Sequence, residues 1–116
     1  MLYNKTQRKK VIEKVRFATG FLGKLRGLMF ERKKNFDYGL VFEFGSEKRI
    51  EASIHMMFVF FPIDAVYLDS QKKVVDVATT KPFSLNYTPK KKAGFLIELP
   101  AGTAKKICTE DNLVWE

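Results

Sequence analysis

With 116 residues, 46% of them hydrophobic and eleven of them Phe, the chain is long enough for one core, too short for two, and rich in the aromatic residues that favour strands. Four Pro and seven Gly exclude a low-complexity chain, and no apolar run nears the roughly 20 residues that span a bilayer. The net charge of +8 sits entirely in the first third: residues 1–34 hold eleven Lys and Arg against two Glu, whereas residues 35–116 hold ten against eleven acids.

The N-terminal stretch MLYNKTQRKKVIEKVRF starts basic but has no apolar segment of the signal-peptide kind. The single cysteine, Cys108, excludes an internal disulfide. A cytoplasmic protein folding as a single domain over 1–116, with a basic arm or edge strand at 1–18, is the expectation.

In chain order, VIEKVRFAT (11–19) reads as a first strand. In GFLGKLRGLMFE, Phe21, Leu22, Leu25, Leu28 and Met29 share one helical face, with Thr19 as N-cap. Gly20, Gly23 and Gly27 recur along that helix, match neither the Walker nor the dinucleotide fingerprint, and suit close packing on a sheet. LVFEF (40–44) is a strand and GSEK a turn. From Arg49 to Phe61, period-two alternation gives a strand that carries the only histidine, His55, and ends at Pro62. IDAVYLDS and VVDVAT flank the turn QKK as a hairpin. KPFSLNYTPKKK is a loop of about a dozen residues, long enough to suggest function. GFLIELP is a strand, AGTAKKI a short helix, and NLVW a last strand.

Two carboxylates stand in apolar company. Asp64 shares a strand face with Val66 and Leu68, and Glu98 shares one with Leu96. Buried carboxylates need partners or a task. Either each accepts hydrogen bonds that lock the turns at FPID and ELPAG, or both line a ligand-binding cleft with His55.

The segments RGLMF (26–30), HMMFVFFPIDAVYLD (55–69), VVDV (74–77) and IELPAGTAKKI (97–107) give the chain its resemblance to the domain of unknown function 192 family. That resemblance implies a curled antiparallel sheet or partial barrel, here of six or seven strands with two short helices. It supplies no activity and no catalytic residues. The family usually carries a Gly-Asp pair near its end, and Glu110-Asp111 stands in that place here.

One His and one Cys exclude a His/Cys zinc site within one chain. No GxSxG elbow is present, Cys108 and His55 have no supporting motif as a pair, and the aspartates lack EF-hand spacing. No cofactor is implied. Three readings follow. The first is a monomeric binding or accessory domain for a small ligand or a protein partner, through His55, Asp64 and Glu98. The second is a nucleic-acid-associated protein acting weakly and non-specifically through Lys5, Arg8, Lys9 and Lys10. The third is a small hydrolase or isomerase using His55, Asp64 and Glu98.

Overall fold

Alternating apolar residues build sheet rather than helix along most of this chain. In a computed structural model, which describes residues 1–18, 32–48, 61–81 and 91–116, eight strands form. They are β1 (Leu2–Asn4), β2 (Lys9–Ile12), β3 (Lys14–Phe17), β4 (Tyr38–Lys48), β5 (Ile63–Leu68), β6 (Val74–Thr80), β7 (Ala93–Pro100) and β8 (Leu113–Trp115). The strands make two sheets, ordered β2-β1-β8 and β3-β4-β7-β5-β6.

The chain is therefore mostly β, as its aromatic content suggests, and its two open sheets are compatible with the expected curled sheet or partial barrel. The strand expected at 11–19 is broken at Glu13, and its halves, β2 and β3, join different sheets. β3 runs parallel to β4, within sheets that are otherwise antiparallel. GSEK is not a turn: β4 continues through it to Lys48. The helices seen among the described residues are single 3-10 turns at Lys33–Asn35 and Thr103–Lys106. The helix expected over 20–30, the strand over 49–61 and most of the loop at 81–92 lie outside the described residues.

β7 is the keystone, since it pairs with β4 on one side and β5 on the other. Each face of this central sheet carries its own core. One face, with Val41, Val66, Leu68, Val74, Ile97 and Leu99, packs against Leu2, Val11 and Leu113 of the smaller sheet. The opposite face is aromatic: Tyr38, Phe42 and Tyr67 gather with Phe36, Phe61, Leu40, Ile63, Ala65 and Leu96. Phe36 stands edge-on to Tyr38 at 5.1 Å between ring centroids and lies 5.5 Å from Phe61. Edge-to-face pairs of this kind add roughly 1 kcal/mol beyond the area they bury. Gly94 is confined by the neighbouring chain: a Cβ there would meet the Ser70 backbone at 3.2 Å.

Candidate functional site

The register of the central sheet decides where the two anomalous carboxylates point. Asp64 stands opposite Leu99, and Glu98 stands between Ala65 and Leu40. Adjacent residues of a strand face opposite ways. Asp64 therefore lies on the face turned to the small sheet, and Glu98 lies on the aromatic face. The two do not converge, so the geometry provides no shared cleft for paired acid–base chemistry.

Asp64 is saturated with donors. Its Oδ1 accepts from the Thr79 hydroxyl at 2.7 Å, and its Oδ2 accepts from the backbone N–H groups of Gly102 and Ala104 at 2.8 and 2.9 Å. Gly102 adopts a left-handed φ of 95°, which starts the 3-10 turn at Thr103–Lys106 and aims these N–H groups at the carboxylate. Asp64 thus clamps the corner after β7 to the β5–β6 hairpin.

Asp111 does the same for the termini. Its Oδ2 accepts from Asn4 at 2.9 Å, Gln7 at 2.6 Å and the Cys108 N–H at 2.8 Å. Burial pushes this carboxyl up, but the bonds from Asn4, Cys108 and Gln7, with Lys9 nearby, outweigh that and hold it below the usual range. The residue before it, Glu110, has φ 77°, the left-handed conformation that a glycine would take freely. The Glu110–Asp111 turn thus forms here without a glycine.

Glu98 has no such support. It is 5% exposed, and no donor among the described residues reaches its Oε1. Burial in this apolar setting pushes its pKa up to about 8, so at neutral pH it is mostly a neutral acid. Its row across the sheet reads Leu40, Glu98, Ala65, Ala78. Ala65 leaves a small side chain on one side of the carboxyl group, and Leu40 flanks it on the other.

The same face gathers polar residues that the sequence reading did not single out. Tyr67 and Asp76 are cross-strand partners, as are Ile63 and Thr80. With the alternation of β6, this places Asp76, Ala78 and Thr80 on the aromatic side, where Asp76 and Thr80 are buried. Thr80 donates to the Ile63 carbonyl at 3.4 Å. The signal was present in VVDVATT, where Asp76 and Thr80 stand four residues apart and so share a strand face.

His55 lies outside the described residues. Lys5 and Arg8 occupy the exposed turn of the β1–β2 hairpin, while Lys9 and Lys10 begin the edge strand β2. These four residues therefore sit on a hairpin, two in its turn and two in its second strand, rather than on a free arm. Cys108 is exposed. Among the described residues, no group of three His, Cys, Asp or Glu side chains could hold a metal ion. None of their helices is long and apolar enough to cross a membrane.

Known proteins place this architecture. A UPF0127 protein of Thermococcus kodakarensis is 43% identical over 112 residues, covering 97% of this chain and 69% of its own. A UPF0127 protein of Pyrococcus furiosus is 37% identical over 98% of this chain and 97% of its own. Two solved structures share the fold. A protein of unknown function from Novosphingobium aromaticivorans has a TM-score of 0.83 at 18% identity, covering 98% of this chain and 82% of its own. A candidate transcription regulator from Sinorhizobium meliloti has a TM-score of 0.77 at 24% identity, covering 86% and 79%. Residues 2–115 match the family of uncharacterised proteins grouped as domain of unknown function 192, and the chain belongs to that family.

Proposed function

We propose that the aromatic face around Glu98 is a binding site and that the protein acts as a binding or accessory domain for a small organic ligand. The observation that carries this reading is Glu98 itself: a carboxyl nine-tenths buried, with Oε1 unbonded among the described residues, set between Ala65 and Leu40 on the face that gathers the Phe and Tyr rings. A sheet core does not need such a group, because an apolar residue would fill the position at lower cost. A ligand with an apolar face and one hydrogen-bonding group suits it. The rings supply contact area, and the neutral carboxyl donates through its O–H and accepts through its carbonyl. Tyr67, Asp76 and Thr80 share that face and are the next candidates for polar contact.

Glu98 carries the site in this reading, and Asp64 is architectural because its oxygens are engaged by Thr79, Gly102 and Ala104. His55 is retained as a candidate contact from the sequence. Phe36, Phe61 and Glu98 are buried in this structure, so binding requires the face to open, and association should be slower than diffusion allows.

The test is a ligand-observed NMR screen of small apolar and sugar-like compounds against the parent protein, Glu98→Gln and Glu98→Leu, at pH 6 and pH 9. Compounds using the neutral acid should bind at pH 6, weaken at pH 9 and lose affinity to Glu98→Leu. Hits that bind Glu98→Leu as well as the parent at both pH values would remove Glu98 from the site and the reading with it.

A further inference from the structure

Residues 9–17 form the outer edge of both sheets. Among the described residues β2 is the edge of the three-stranded sheet, and after the bend at Glu13 the chain becomes β3, the edge of the five-stranded sheet. At about 3.3 Å per residue, such an edge runs on the order of 25–30 Å. It carries Lys9, Lys10, Lys14 and Arg16, all exposed, and ends in Phe17, which is 51% exposed. The 3-10 turn bearing Lys105 and Lys106 packs beside β2, where the Lys106 ammonium reaches the Val11 carbonyl at 3.5 Å. The edge's acids are few: Glu13 is held by Lys10 at 3.1 Å and Asp37 by Lys14 at 2.7 Å.

Charge alone would make this a solvated edge guarded against aggregation, and the bulge where β2 passes Leu2 and Tyr3 serves that purpose. Phe17 does not fit that purpose. An exposed ring at the end of a cationic track has no role in guarding an edge. It is the second component of a surface that follows a phosphate backbone and stacks an unpaired base. Arg16 adds a guanidinium already ordered over the Tyr38 ring, at 4.3 Å from its centroid. The described residues contain no helix long enough to enter a major groove. We infer that the edge formed by residues 9–17 binds single-stranded nucleic acid, with Lys9, Lys10, Lys14 and Arg16 on phosphates and Phe17 stacked on a base. This site is separate from the Glu98 face.

The test is fluorescence anisotropy of the full chain with a fluorescein-labelled 15-residue oligo-dT, at several salt concentrations from 50 to 200 mM. Four phosphate contacts predict that log affinity falls with log salt at a slope of about −3. Phe17→Ala should weaken binding by about 5- to 100-fold and leave that slope intact, because stacking carries no counterion release. Phe17→Trp should restore binding. Lys9→Ser with Lys10→Ser should make the slope shallower by about 1.4. Thermal melts of each variant, expected to match the parent because these side chains are exposed, exclude unfolding as the cause. The inference is overturned if oligo-dT does not bind at 50 mM salt. It is also overturned if Phe17→Ala binds like the parent, or if duplex DNA or heparin binds as tightly as oligo-dT, which would leave only a general polyanion surface.

Discussion

Replacing Glu98 by Gln should change how stability depends on pH, and the size of the change follows from the raised pKa. Below the ordinary carboxyl value of 4.5, Glu98 is protonated in both the folded and the unfolded chain and contributes no pH dependence. Between 4.5 and about 8 the unfolded chain releases the proton while the folded chain keeps it. Stability therefore falls as pH rises, by about 1.4 kcal/mol per pH unit. The window from 4.5 to 8 spans 3.5 units, so the full loss is roughly 4–5 kcal/mol, of which roughly 3 kcal/mol has accrued by pH 7. Above pH 8 the loss levels off, because both states are then ionised. Gln cannot ionise and escapes this loss, although its buried amide brings a pH-independent cost of about 1–3 kcal/mol if it finds no partner. Urea denaturation of both proteins at half-unit steps from pH 4.5 to 9 measures the difference directly. The variant should be less stable than the parent near pH 5, cross it between about pH 5 and pH 7 and exceed it near pH 9. Parallel curves across this range would mean that Glu98 is ionised or partnered in the folded chain, and the argument from its burial would fail.

Asp64→Ala leaves the Thr79 hydroxyl and the Gly102 and Ala104 N–H groups without their acceptor and should cost about 2–4 kcal/mol by urea denaturation at pH 7. Asp111→Ala should cost a similar amount at pH 7. Its parent carboxyl is held low, so that contribution is full above the unfolded value of 3.8 and fades as pH falls through the lower folded value, the opposite sign to Glu98. Glu110→Gly should raise stability by about 1 kcal/mol, read as a higher melting temperature, because it relieves a φ of 77° at the loss of an exposed contact to Lys73.

The β5–β6 hairpin and β7 were readable as short apolar runs, IDAVYL, VVDVAT and GFLIELP, bounded by turn residues. β1 was not readable, because three residues carry too little pattern and its order comes from pairing with β2 and β8. The break at Glu13 was hidden for a related reason: KVI and KVRF read as one strand until the two sheets separate them. At the site, alternation showed that Asp64 and Glu98 were out of place, but not that they lie on opposite faces. That depends on the pairing of Asp64 with Leu99 rather than Glu98. A slip of one residue would reverse the result, and register is set by long-range pairing that one strand's sequence does not contain.

Counting donors separates what the buried carboxylates do. Asp64 and Asp111 each gather three donors: the β6 strand and the corner after β7 supply those of Asp64, while Asp111 takes two from the distant first hairpin and one from Cys108 in its own turn. Neither can be replaced by an apolar residue, because the donors would remain without acceptors. Glu98 brings no described donor to its Oε1, so its removal strands nothing there. Leu at position 98 would remove the cost of burying a carboxyl and keep the aromatic face filled, and Glu98→Leu should therefore stabilise the folded chain at pH 7 rather than weaken it. A thermal melt showing that gain would mean that the fold does not need Glu98, and the need must then lie in what the aromatic face binds. A melt showing a loss comparable to that of Asp64→Ala would instead make Glu98 a third architectural carboxylate, and the ligand site would have to be sought elsewhere.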